Sequence, residues 1–219
     1  MAKPLDIVAT YNDLFKRFGP QHWWPAESAF EVMAGAILTQ NTSWTNVEKA
    51  IINLKSCDAL NPAAIARISE RRLAQIIRPS GFPAQKGARL KALSRYLIER
   101  HRGDIGRMRQ RQSAALRQEL LDIDGIGPET ADAILLYALG KPAFVIDAYT
   151  RRIFSRHGSL AENAPYQDWQ QLFTGRLPRS ARIYNEYHAL IVQLAKTHCR
   201  KVPKCGECPL HQPSTNNEQ

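Results

Sequence analysis

The stretch Leu121-Asp122-Ile123-Asp124-Gly125-Ile126-Gly127-Pro128-Glu129-Thr130-Ala131 decides the reading of this chain. Residues 114–122 before it are helical in pattern. So are residues 129–139 after it, with Ala131, Ala133, Ile134, Leu135 and Ala138. Two helices therefore meet at a short glycine turn. Gly125 and Gly127 tolerate positive φ and let a ligand approach bare backbone. Ile126, between them, is expected to fold inward. Pro128 suits the first position of the second helix. The turn N–H groups and the new helix N-terminus then face one spot, which suits a phosphate. Gly125, Ile126, Gly127, Glu129 and Thr130 are thus the expected contacts to a nucleic-acid backbone, gripped without regard to its sequence. A plain packing corner between two helices is the alternative.

Outward from this turn, helical periodicity dominates. It predicts helices over residues 29–38, 86–100 and 180–197. Ala143-Phe144-Val145-Ile146 is the best strand candidate and is too short to make a sheet alone. The expected class is all-α. With 219 residues, 44% hydrophobic and 23% charged, the composition excludes a disordered or collagen-like chain. Thirty Lys and Arg against 20 Asp and Glu leave a net charge of +10. That surplus suits a polyanionic partner, and an Arg-rich solvated surface accounts for it as well. No apolar run approaches the ~20 residues a bilayer requires. The first residues have no signal-peptide pattern, so a cytoplasmic location is expected, at the nucleoid in a bacterium. There the four cysteines would not form a disulfide framework.

Several segments together resemble the helix-hairpin-helix DNA glycosylase superfamily, related to endonuclease III. They are Gly35-Ala36-Ile37-Leu38-Thr39-Gln40-Asn41-Thr42, Gly81-Phe82-Pro83-Ala84-Gln85-Lys86-Gly87, the hairpin, Val145-Ile146-Asp147-Ala148-Tyr149 and a cysteine-bearing tail. The resemblance spans nearly the whole chain. It implies a two-lobed all-α fold, with a six-helix lobe over residues 30–140 that carries the hairpin. A second lobe would combine residues 1–29 with 141–219, and DNA would lie in the groove between lobes. The implied protein is a monomer that excises a damaged base from double-stranded DNA. Gln40 matches the wedge that fills the hole left by an extruded base, or is an ordinary helix-end glutamine. Lys86 is a further DNA-binding candidate.

Asp147 matches the family's catalytic aspartate, and its position also suits an N-cap for the next helix. A carboxylate stabilises the oxocarbenium-like state of glycosidic cleavage and activates the nucleophile. Bifunctional relatives carry a nucleophilic lysine two residues after the second hairpin glycine. Glu129 stands there in this chain and cannot form a Schiff base, so the expected enzyme is monofunctional. Another amine, such as Lys86, leaves a weak lyase open. Trp23 and Trp24, followed by Trp44, together with Leu38-Thr39-Gln40-Asn41-Thr42 and Glu129, resemble a bacterial 3-methyladenine glycosylase branch, which implies an alkylated purine as substrate. These rings would stack on the extruded base, or pack as core. The chemical rival is an endonuclease III-like glycosylase and lyase on oxidised pyrimidines. The rival of another class is a non-catalytic structure-specific DNA-binding protein.

Cys199, Cys205 and Cys208 resemble the family's [4Fe–4S] loop, with two departures. The first gap is one residue short, and the fourth cysteine position is Ser214. His211 is a possible substitute ligand. Cys57 lies far away in sequence and is expected as a small buried hydrophobe.

Overall fold

The computed structural model describes residues 4–211, and every regular element among them is helical. In chain order these are α1 (Ile7–Phe18), α2 (Ala29–Leu38), α3 (Trp44–Ser56), α4 (Pro62–Arg67), α5 (Glu70–Ile76) and α6 (Pro83–His101). Then follow α7 (Ile105–Arg109), α8 (Ser113–Leu121), α9 (Pro128–Ala133), α10 (Ala148–Arg156), α11 (Tyr166–Thr174) and α12 (Ala181–Thr197). None of the described helices is long and apolar enough to cross a membrane. Local chemistry starts many of them: Asp6, Ser28, Asn61, Ser69, Asp104, Asp147 and Ser180 each accept a first-turn N–H bond.

The chain divides into two compact units. One is Trp24–Ala143, and the other combines the residues up to Trp23 with those from Phe144 onward. In the first unit every residue of α2 from Phe30 to Leu38 is buried, which is why its sequence is apolar except for Glu31, whose carboxylate pairs with Lys55 at 3.1 Å. Leu90, Leu93 and Leu97 line the buried face of α6. The hairpin joins α8 to α9, with Ile126 tucked inward. Across it the Arg117 guanidinium donates two bonds to the fully buried Asp132 carboxylate, at 2.7 and 3.1 Å.

Three sequence expectations are corrected here. The second hairpin helix does not run on as one α-helix: α9 passes into a π turn over Ile134–Ala138. Such turns are rare and occur frequently at functional sites. This one leaves Tyr137 half-buried while its four neighbours stay inside. Residues 143–146 form no regular element and pair with no strand among the described residues. Side chains take the backbone bonds instead, Gln170 donating to the Phe144 carbonyl and the Ile146 N–H donating to the Tyr166 hydroxyl. Cys57 is exposed, because it caps the end of α3 rather than continuing its buried face.

The second unit has an aromatic core. Phe144 stacks on Phe173 at 4.3 Å, with Tyr184, Tyr187 and Phe154 edge-on around them. Helices α1 and α10 both pack on α12, and the Tyr187 hydroxyl donates to the Ile7 carbonyl at 2.9 Å. Basic residues of α10 face the loop after α12. Arg152 donates to the Cys199 carbonyl, and Arg156 donates to those of Arg200 and Lys201. Part of the positive charge therefore fastens the loop.

Candidate active site

In the Trp24–Ala143 unit the hairpin turn is tied to α2 and α6. Gly125 has φ +78°, and a Cβ there would lie 2.2 Å from Arg89 Nε. Arg89 donates to the Gln40 side-chain carbonyl. The Gln40 amide donates to the Gly125 carbonyl at 3.3 Å and to Thr130 Oγ1 at 3.0 Å. Gln40 and the buried Thr130 are therefore held together at the turn. Gly127 is extended, and a Cβ on it would meet nothing within 4 Å, so the turn stays open to close approach. The exposed Glu129 sits in the first turn of α9, whose N–H groups have no acceptor within the helix.

Lys86 is placed inside, only 1% exposed. Its ammonium donates to the carbonyls of Leu38 and Ser80, at 2.8 and 2.5 Å. Burial and the neighbouring Arg89 guanidinium lower its pKa to about 8. Its geometry makes it the fastener between two loops rather than a surface contact to DNA. A residue at positive φ follows each of these carbonyls within three positions, Asn41 and Phe82. Phe82 is 63% exposed, a large apolar side chain in a strained conformation. Its place between glycine and proline was the available signal, and the sequence reading gave it no role.

Trp24 packs against Trp44 at 5.1 Å and against Tyr137 at 5.3 Å, all three half-buried. Gly35 makes room, since a Cβ there would come within 3.0 Å of the Trp24 ring. Trp44 Nε1 donates to Glu48 at 2.8 Å, which sets a carboxylate beside the rings. Tyr137 joins this cluster through the π turn, a feature with no sequence signal. Trp23 belongs to the other unit, where the Lys196 ammonium lies 5.5 Å over its ring.

Asp147 lies in that other unit as the N-cap of α10. Its Oδ1 accepts the Thr150 N–H at 2.7 Å and the Thr150 hydroxyl at 2.8 Å. Its Oδ2 is 3.5 Å from Nε2 of the buried His188, on α12. Burial pushes the carboxyl up, but the His188 charge and the bonds from His188 and Thr150 outweigh it and hold the pKa below the ordinary value. The result is a fixed carboxylate with one oxygen committed to the helix. His188 was not found from sequence, because its only link to Asp147 is spatial.

In the same unit Cys199, Cys205, Cys208 and His211 line one cavity of about 240 Å³. Cys199 Sγ accepts a bond from Arg156 at 3.4 Å. Among the described residues no three His, Cys, Asp or Glu side chains converge closely enough to hold a single metal ion. Ser214 lies outside the described residues.

The sequence model of HhH-GPD superfamily base excision DNA repair proteins matches residues 34–179. A protein of Methanocaldococcus jannaschii with the provisional name DNA repair glycosylase is 47% identical over 208 residues, 94% of each chain. H. pylori 3-methyladenine DNA glycosylase MagIII, solved bound to 1,N6-ethenoadenine, is 32% identical. It aligns with a TM-score of 0.75 over 88% of this chain and 98% of its own. A trapped endonuclease III–DNA covalent intermediate, 22% identical, shares the fold with a TM-score of 0.81 over 93% of this chain and 92% of that one.

Proposed function

Since the chain belongs to the HhH-GPD superfamily of base excision DNA repair proteins, we propose that it hydrolyses the N-glycosidic bond of an alkylated base turned out of duplex DNA. The Asp147 carboxylate carries this reading. As the bond to the base lengthens, positive charge grows on the sugar. A carboxylate already fixed and ionised stabilises that charge without reorganising. Because Oδ1 is committed to Thr150, Oδ2 is the oxygen suited to face the sugar or to accept a proton from the attacking water. In this reading the backbone N–H groups of Gly125, Gly127, Glu129 and Thr130 grip the strand.

Water is the nucleophile in this scheme. Glu129 offers no amine, and Lys86 is buried with its ammonium bound to two carbonyls. The Trp24, Trp44 and Tyr137 rings support an alkylated purine, because alkylation can place positive charge on the base and π faces attract it. Glu48 adds a negative group at the same place. The H. pylori relative, with an alkylated adenine bound, favours the same class.

Cys199, Cys205 and Cys208 would hold a [4Fe–4S] cluster. Three soft sulfur donors lining one cavity support it. When bound, the cluster would supply metal–thiolate cross-links that fasten the loop.

The test is excision from duplexes bearing 3-methyladenine, 7-methylguanine, 1,N6-ethenoadenine, thymine glycol or uracil, scored with and without alkali. Nicks that appear only after alkali, and most strongly for the alkylated purines, are expected. Preference for thymine glycol with nicks before alkali, or a borohydride-trapped adduct, would support the endonuclease III-like alternative. Absence of excision from every duplex, with binding retained, would support the non-catalytic one.

A further inference from the structure

We infer that His211 completes the ligand set of the cluster, giving three-cysteine, one-histidine ligation. The inference rests on the cluster reading above and goes beyond it by naming the fourth donor. Cys205–Glu207 form one 3₁₀ turn, closed by the Cys208 N–H to the Cys205 carbonyl at 3.0 Å. A second turn follows directly, closed by the His211 N–H to the Cys208 carbonyl at 2.9 Å. Cys205, Cys208 and His211, which these two turns join, all line the cavity. Cys199, at the end of α12, reaches the same space, so four soft or borderline donors surround about 240 Å³.

Imidazole is a competent iron ligand and replaces cysteine in other iron–sulfur centres. His198 also lines the cavity, but its Nδ1 lies 2.7 Å from the Thr197 hydroxyl and its ring packs on Phe18 at 5.9 Å. These contacts hold it as part of the helix end. His157 also lines the cavity, from the end of α10 and distant in sequence from the cysteines, whereas His211 shares a turn with Cys208. Arg156 and Lys204 line the same space, and Arg156 donates to the Cys199 sulfur. Positive side chains there offset the negative charge of a thiolate-bound cluster.

The experiment uses the full chain, purified without oxygen and reconstituted with ferrous iron, sulfide and reductant. Iron and acid-labile sulfide are counted, and pulsed EPR is recorded on the reduced cluster with ¹⁵N-histidine labelling. Roughly four irons per chain and a labelled-nitrogen coupling are expected for the wild type. His211→Ala should abolish the coupling and lower the iron count. His211→Cys should keep the iron, lose the coupling and shift the midpoint potential downward, since thiolate is anionic and imidazole neutral. His198→Ala and Ser214→Ala should leave both signals intact.

A coupling that survives His211→Ala, or iron lost in Ser214→Ala but not in His211→Ala, would overturn the assignment. A wild-type chain that takes up no iron would overturn the cluster reading with it. Excision from lesion duplexes, measured on the same preparations, judges the glycosylase reading separately.

Discussion

Asp147→Asn separates chemistry from helix capping. Asparagine keeps a side-chain oxygen where Oδ1 accepts the Thr150 N–H and hydroxyl, at 2.7 and 2.8 Å, so the start of α10 should survive. What disappears is the negative charge. Its favourable interaction with the helix N-terminus is worth about 0.3–1 kcal/mol, and its contact with the buried His188 at 3.5 Å goes with it, so a modest fall in thermal stability is expected. Asp147→Ala should cost more, about 0.5–2 kcal/mol for the cap, and it strips the buried Thr150 hydroxyl of its acceptor as well. The effect on chemistry runs the other way in scale. Loss of a preorganised electrostatic group typically lowers the rate ~10²–10³-fold, about 2.7–4 kcal/mol of barrier.

Asp147→Asn should therefore fold and bind lesion DNA normally, and excise at least ~100-fold more slowly. The assay is single-turnover excision with enzyme in excess, with affinity measured by fluorescence anisotropy. An Asp147→Asn protein that excises at nearly the wild-type rate would remove the carboxylate from the mechanism. The folded carboxyl is held below its unfolded value. Its contribution to stability is thus complete above about pH 3.9 and lost as pH falls through the lower folded value. Measurements near neutral pH report the ionised group.

Gly125→Ala should weaken DNA binding. The left-handed conformation costs a Cβ residue ~1–2 kcal/mol, and the new atom would displace Arg89 and so release Gln40. Anisotropy across a salt series should show lower affinity and a slope shallower by about one phosphate contact. Arg117→Ala removes the two-bond partner of the buried Asp132, so urea denaturation should show a loss toward the lower end of ~3–5 kcal/mol. Pairing it with Asp132→Leu should restore much of that loss. Trp44→Ala should weaken binding of an alkylated base by ~1–3 kcal/mol in competition assays, and Glu48→Gln should narrow the preference for cationic over neutral bases. Phe82→Ala should leave the thermal midpoint nearly unchanged, because the ring is exposed.

Much of the helical plan was legible in the sequence because it depends on neighbours along the chain. Ser28, Asp147 and Ser180 start helices through bonds only three residues long, and Pro128 begins α9 where its missing N–H does no harm. The glycine turn and the inward Ile126 were equally local. What only the tertiary structure decided is which distant groups meet and which side chains lose water. Lys86 read as a surface cation, yet carbonyls from two loops enclose it. Trp23 and Trp24 read as one pair, but the unit boundary falls between them. His188 faces Asp147 because α12 packs on α10, and Tyr137, within the π turn, meets Trp24 across the fold. Periodicity reports which face of a helix is apolar. It is silent on what lies against that face, and that contact sets charge, burial and reactivity.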